Sequence, residues 1–339
     1  MKKYNVCVLG ATGMVGREMI KVLEERNFPV NKFLPLASHR TAGQKVSFQG
    51  KNYTVEEAKP ESFEGIEIGL FSAGAKVSKI FAPEAAKRKC IVIDNTSLFR
   101  MDPEVPLIVP EVNPQAIKKH KGIIANPNCS TAQMVLPLKP IYDAAGIERI
   151  VVSTYQSTSG WGKEAVAEMY DQTKKLLKDP KARVEAKCIF KQIAFNVVPQ
   201  IDSFLDNAYT REEMKMVDET RKIFEDDKIQ VSATCVRVPV AIGHSEAVNI
   251  KTKKKISVNE VRKLINAFPT CRVVDDPSKG EYPTPIDCEG KDETFVGRIR
   301  EDISQENGIE MWIVSDNLRR GAALNAILIA EKMIKDGLI

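Results

Sequence analysis

The strongest constraint in this chain is a glycine-bearing loop set between a strand and a helix. Asn5–Leu9 has the pattern of a buried strand, and Gly10-Ala-Thr-Gly13-Met-Val-Gly16 follows at once. Val15, Met19, Val22 and Leu23 then share one helical face. A backbone that must turn tightly, approach a pyrophosphate and pack its helix on the strand favours glycine at such positions. The spacing is G-x-x-G-x-x-G rather than the commoner G-x-G-x-x-G. The strand–loop–helix setting therefore carries the nucleotide reading, with a plain strand-to-helix turn as the alternative.

Further strand patterns follow at Phe33–Ala37, Ile66–Phe71, Ile91–Asp94, Leu107–Val109 and Ile123–Ala125, with a helix over Val77–Arg88. Strands alternating with helices predict βαβ units and a mostly parallel sheet. Past residue 129 the rhythm changes. Strands at Ile150–Ser157, Val231–Val240, Ala247–Lys251, Thr294–Arg300 and Ile309–Val314 group together, with Asn307-Gly308 at a hairpin turn. Helices are expected near Lys163–Leu177 and from the Thr210-x-x-Glu213 capping box to about Glu225. That grouping predicts an antiparallel α+β domain. A helix from about Leu318 to Lys335, capped by Gly337, closes the chain. A length of 339 residues accommodates two domains. The reading is α/β: a Rossmann-type parallel-sheet domain over 1–128 and an α+β domain over 129–317, with a closing C-terminal helix in 318–339.

Fifty basic against 45 acidic residues leave a net charge of +5, too little for a nucleic-acid protein but suited to anionic small molecules. No apolar run approaches a membrane span, and Met1–Gly10 lacks the apolar core of a signal peptide, so a cytoplasmic protein is expected. Seven scattered cysteines without a C-x-x-C pair predict reduced thiols, with neither disulfides nor a metal site.

Several side chains carry candidate chemistry. After the second strand the chain offers Ser38, Arg40 and Thr41 where an NAD site usually has an acid, which suits the 2′-phosphate of NADP; an exposed polar loop is the alternative. Cys129, in Asn126-Pro-Asn128-Cys129-Ser-Thr131, opens an apolar helical stretch, where the dipole and free N–H groups favour a nucleophilic thiolate. His244 sits in a loop after Gly243 and is either a general base or a satisfied structural histidine. Arg237, in an apolar strand, needs an anion: a substrate carboxylate or an internal salt bridge. Glu219 and Lys222, spaced i, i+3, read on spacing alone as a surface ion pair. Arg100 follows a strand end and is otherwise only a basic loop residue.

Taken together, GATGMVG from Gly10, NPNCSTAQ from Asn126, YQSTSGWG from Tyr155, PQIDSF from Pro199, TREEMK with ETRKI from Thr210, RVPV with GHSE from Arg237, and SDNLRRGAALNA from Ser315 resemble the aspartate-semialdehyde dehydrogenase family, in that family's order and nearly end to end. The resemblance implies reduction of aspartyl 4-phosphate to aspartate 4-semialdehyde with release of phosphate, in lysine, diaminopimelate, methionine and threonine synthesis. It implies Cys129 as nucleophile, His244 as acid/base and Gln156 as the residue orienting the thioacyl group. Arg237 and Glu219 would hold the substrate carboxylate and amine, Arg100 and Lys222 the phosphate, with Asn128 beside the nucleophile. Gly10, Thr12, Gly13, Met14, Val15, Ser38, Arg40, Thr41, Ser72, Gly74, Ser159, Gly160 and Asn317 would contact NADP, and a homodimer is implied. N-acetylglutamyl-phosphate reductases and glyceraldehyde-3-phosphate dehydrogenases share the chemistry, but neither needs residues for a free amine and carboxylate. A non-catalytic NADP-binding sensor, from another functional class, would need the glycine loop and not Cys129.

Overall fold

The computed structural model describes residues 2–339. Two compact units emerge, one of Met1–Asn128 with Gly321–Ile339 and one of Cys129–Arg320.

The first unit runs β1 (Tyr4–Leu9), α1 (Met14–Glu25), β2 (Val30–Ala37), β3 (Lys45–Phe48), β4 (Lys51–Thr54), β5 (Glu56–Glu57), β6 (Ile68–Phe71), α2 (Ala75–Lys87), β7 (Ile91–Asp94) and β8 (Ile123–Ala125). Its main sheet is all parallel in the order β5-β2-β1-β6-β7-β8. Strand alternation sends Val6 and Val8 to one apolar cluster with Met19, Leu23 and Ile327, and Cys7 and Leu9 to another with Leu36, Phe71 and Ala82. Burial on both faces explains why these strands read as continuous apolar runs.

Leu107–Val109 is not a strand; only an isolated bridge joins Leu107 to Ala125. Pro106 and Pro110 bracket the segment, and neither can donate to a ladder. The β3–β4 hairpin escaped the sequence reading. It turns on Gln49 and Gly50, both at positive φ (49° and 72°), and a Gln-Gly pair is a weaker hairpin signal than Asn-Gly.

The second unit contains α3 (Cys129–Ala145), β9 (Ile147–Gln156), α4 (Lys163–Lys178), α5 (Arg211–Phe224), β10 (Gln230–Arg237), β11 (His244–Thr252), α6 (Val258–Ala267), β12 (Cys271–Val273), α7 (Pro285–Cys288), β13 (Thr294–Glu301) and β14 (Gly308–Ser315). The sheet order is β10-β9-β11-β14-β13-β12. It is mixed rather than antiparallel: β10 runs parallel to β9 and β12 parallel to β13. A parallel neighbour needs a long crossover, and the stretch from α4 through α5 supplies the one between β9 and β10. β10 stops at Arg237, short of the expected Val240, because Pro239 interrupts donation.

Helix α3 is buried nearly all round and packs on β9, β11, β13 and β14. After β14, five π-helical residues, Arg319–Ala323, precede α8 (Leu324–Lys335), where one continuous helix was expected. Gly337, at φ 66°, closes α8 as predicted. Among the described residues no helix is long and apolar enough to cross a membrane.

Candidate active site

In the second unit the sheet register builds the site. Arg237 on β10 pairs with Gln156 on β9, His244 on β11 pairs with Ser315 on β14, and the β9–β11 register sets His244 alongside Gln156. Four strands thus contribute one inward-facing polar row, each member at most 3% exposed. His244 is the first residue of its strand, not a loop residue; the loop ends at Gly243, whose φ of 93° favours glycine.

Each side chain in the row is held by hydrogen bonds. Gln156 Nε2 donates to Glu212 Oε1 at 3.1 Å, and its Oε1 accepts from Thr154 Oγ1 at 3.0 Å. His244 Nδ1 accepts the Ser157 backbone N–H at 3.0 Å, which places the proton of the neutral ring on Nε2. Burial, and after it the Arg237 charge, lowers the His244 pKa to about 3, so the ring is neutral at physiological pH. Arg237 Nη1 donates to the Ser157 carbonyl at 2.6 Å, and among the described residues the guanidinium makes no ion pair. The internal salt bridge, one of its two expected roles, is thus not formed. Gly160 presses against both groups: a Cβ there would lie 3.0 Å from Arg237 Nη1 and 3.3 Å from His244 Nε2.

Cys129, half-buried, is the first residue of α3 and lies within Coulombic reach of Arg237. Asn317, expected at the cofactor, is 2% exposed and braces this unit. Its Oδ1 accepts from the Gly243 N–H at 2.9 Å and from Ser157 Oγ at 3.1 Å, while Nδ2 donates to Ser159 Oγ at 3.0 Å.

The Glu-x-x-Lys pair beside Gln156 is Glu212–Lys215 rather than Glu219–Lys222. The acid bonded to Gln156 is Glu212, in the first turn of α5, and its Oε2 pairs with Lys215 Nζ at 2.9 Å. Glu212 also favours the charged forms of Arg237 and His244. Glu219 lies seven residues, about 10 Å, further along the helix and is fully buried, so it is not half of a surface pair either. The two pairs share the Glu-x-x-Lys spacing. The signal separating them was the capping box, which puts Glu212 at the helix start.

Glu246, two residues beyond His244 on the same strand face, was also missed. It is fully buried and neither carboxyl oxygen meets a hydrogen-bond partner. Burial holds its pKa well above the carboxylate range, the nearby Gln133 amide opposing only in part. Between the unfolded and folded pKa values folding takes up a proton, and stability falls as pH rises, by about 1.4 kcal/mol per unit. Glu246→Gln should therefore raise the melting temperature more at pH 8 than at pH 5. Equal shifts in thermal melts at the two pH values would contradict this.

The first unit holds the glycine loop. Gly10 sits at φ 94°, and a Cβ there would meet Ser72 Oγ at 2.9 Å and Ala73 N at 3.0 Å. A Cβ on Gly16 would lie 2.1 Å from the Gly10 carbonyl oxygen, which leaves no room for any side chain. Gly13, exposed, is the N-cap of α1 with no side-chain cap and no acid in the first turn, so the helix start suits an anion. Met14 and Val15 continue that turn. Thr12 Oγ1 donates to Thr41 Oγ1 at 3.1 Å, tying the loop to the exposed Ser38–Arg40 turn. Gly74, at φ 90°, caps α2. These residues fit a dinucleotide pyrophosphate. Arg100, 8% exposed, donates from Nε to the Asn126 carbonyl at 2.9 Å and from Nη2 to that of Asn95 at 2.8 Å. Asn128 is buried one residue before the thiol.

Comparisons with known proteins bear on both units. Residues 5–120 match the semialdehyde dehydrogenase NAD-binding domain and residues 138–320 the semialdehyde dehydrogenase dimerisation domain. The aspartate-semialdehyde dehydrogenase of Aquifex aeolicus is 55% identical over 99% of both chains. The chain belongs to the aspartate-semialdehyde dehydrogenase family. Aspartate semialdehyde dehydrogenase II from Vibrio cholerae, solved complexed with ASA, is 49% identical with a TM-score of 0.96 over 99% of both chains. The Candida albicans enzyme, solved with NADP, is 27% identical with a TM-score of 0.78 over the full length of both. Membership makes this chain an oxidoreductase of amino-acid biosynthesis with a nicotinamide cofactor.

Proposed function

We propose that the chain reduces L-aspartyl 4-phosphate to L-aspartate 4-semialdehyde with NADPH, releasing phosphate, through a thioester on Cys129, in the route to lysine, diaminopimelate, methionine and threonine. The observation that carries this reading is the buried row Arg237, Gln156, His244, with Cys129 at a helix start within Coulombic reach of its cation.

Cys129 sulfur attacks the acyl carbon, the C–S bond forms and the C–O bond to phosphate breaks. The positive end of the α3 dipole, where Cys129 sits, favours the anionic sulfur and the oxyanion formed beside it. Bound NADPH supplies the hydride that reduces the thioester carbon. His244, neutral and protonated on Nε2, donates a hydrogen bond to the oxygen that gains charge, and collapse of the thiohemiacetal returns the sulfur as leaving group. Gln156, fixed by Thr154 and Glu212, orients the thioacyl group. Arg237 takes the substrate carboxylate, Glu212 rather than Glu219 the ammonium, and Lys215 with Arg100 the phosphate. NADP is preferred over NAD because Ser38, Arg40 and Thr41 bring no acid to repel a 2′-phosphate. Gly10–Val15, Ser72, Gly74, Ser159 and Gly160 border the cofactor, while Asn317 braces the Gly243 turn.

The test is reduction of NADP⁺ and of NAD⁺ with aspartate semialdehyde, with and without phosphate. Phosphate-dependent turnover with NADP⁺ supports the reading; turnover only with another aldehyde moves the chain to a sibling reductase. Glu212→Gln should raise the KM for aspartate semialdehyde about 30-fold or more, through loss of a buried charge partner worth 2–5 kcal/mol. Glu219→Gln should leave that KM within about threefold. The reverse order in steady-state kinetics would restore Glu219 to the site.

The chain forms a homodimer in this reading. On the sheet face away from α3, a groove of about 600 Å³ is lined by Val151, Ser153, Ala247, Tyr282, Arg298 and Trp312. Tyr155, 38% exposed, meets Trp312 there with ring centroids 5.3 Å apart, and such apolar faces serve oligomerisation. The match to a dimerisation domain over 138–320 supports self-association through this unit. Sedimentation equilibrium should give twice the mass of one chain; a monomer at micromolar concentration would exclude it.

A further inference from the structure

We propose that Gln133 is a positioning residue: its side-chain amide latches the first turns of α3 to strands β11 and β14 and so fixes Cys129 relative to His244. Gln133 follows Cys129 by four residues, hence lies on the same helix face one turn deeper. Its Oε1 accepts from Ser315 Oγ at 2.7 Å, and its Nε2 donates to the His244 backbone carbonyl at 3.4 Å. Ser315 and His244 are direct partners in the β11–β14 ladder, so the amide spans both strands at the register of the imidazole.

Two features give the latch work that packing alone would not need. Gln133 is 0% exposed and is followed by Met134, Val135 and Leu136, all buried. An amide in such surroundings carries a desolvation penalty that an apolar side chain would avoid. Pro137 lies four residues on, inside α3, and has no N–H to give the Gln133 backbone carbonyl. A missing rung between residues 133 and 137 loosens the turn bearing Cys129 from the rest of the helix, which is where kinks arise. The side chain of the residue that loses the rung supplies a substitute tie, made to the strands rather than to the helix.

The inference rests on Cys129 as nucleophile and His244 as its partner. Gln133→Met, close in volume but unable to bond, should lower kcat about 30- to 100-fold with KM for aspartate semialdehyde and NADP⁺ within about threefold, since displacing a reacting group by an ångström costs on that order. Ser315→Ala, which removes one bond, should lower kcat about three- to tenfold; Ser315→Thr, which keeps the hydroxyl, should recover most of that loss. The serine pair keeps the test open if Gln133→Met does not fold. A wild-type kcat in Gln133→Met, a joint rise of both KM values, or equal losses in Ser315→Ala and Ser315→Thr would overturn the latch. Failure of the underlying reading has a separate signature, namely turnover that survives Cys129→Ser.

Discussion

Cys129→Ser should lower kcat for phosphate-dependent NADP⁺ reduction by at least about 10⁴-fold, as loss of a nucleophile does elsewhere, while NADP⁺ binding stays within about twofold. The loss follows from sulfur chemistry. A serine hydroxyl is hardly ionised at neutral pH and would form an oxygen ester in place of the thioester. Other thiols offer no substitute. Cys7, Cys90, Cys235, Cys271 and Cys288 are buried, burial pushes Cys235 up strongly, and Cys288 is pushed up to about 12. Cys188 is half-buried, and burial with nearby Glu168 raises its pKa as well. Iodoacetamide should therefore label one thiol per chain rapidly, and Cys129→Ser should abolish that fast phase. Residual turnover above about 1% of wild type, or a fast phase surviving in the variant, would remove Cys129 from the chemistry.

Much of this arrangement was legible in one dimension, and the failures share a cause. The strands of the first unit stand out because a parallel sheet buried on both faces leaves apolar runs punctuated by turns. Leu107–Val109 imitates such a run, and only the prolines on either side argue against it. In the second unit strand positions follow from residue type, but direction does not: nothing within β10 marks it as parallel to β9. Cys129 stands out as a candidate because the turn before it is local. His244 stands out because histidines are scarce, though its place as first residue of β11 does not. Glu212 and Glu219 occupy equivalent positions in repeated Glu-x-x-Lys spacings seven residues apart, and a helix drifts only about 20° over seven residues. Only the proximity of the helix start to Gln156 separates them, and that contact spans 56 residues of chain. Glu246 and Gln133 were hidden for a related reason, since a polar residue in a sequence carries no mark of burial.

Arg237→Ala should raise the KM for aspartate semialdehyde about 10²- to 10³-fold, the cost of removing a buried, charge-assisted partner for a carboxylate, with the KM for NADP⁺ within about threefold. The guanidinium is 3% exposed, tied to the Ser157 carbonyl at 2.6 Å and without an acid of its own in an ion pair. An arriving carboxylate therefore gains a partner whose desolvation occurred during folding. Arg237→Lys should restore little, because an ammonium cannot reproduce the planar fork. A second effect follows from charge. After burial, Arg237 is the main cause of the depressed His244 pKa, and without it the value must rise from about 3 toward the ordinary 6.5, with Glu212 pulling in the same direction. A depressed histidine binds a proton in the unfolded chain but not in the folded one. Its contribution to stability is thus full above the unfolded pKa and lost as pH falls through 6.5 toward 3. Removing Arg237 narrows that window, so acid unfolding should weaken in its dependence on pH. The proposed role requires the neutral ring, because a proton on Nδ1 would oppose the Ser157 N–H. The acid limb of kcat/KM should accordingly move to higher pH in Arg237→Ala. Equal rises in both KM values with an unmoved acid limb would make Arg237 a structural residue and return the carboxylate to another cation.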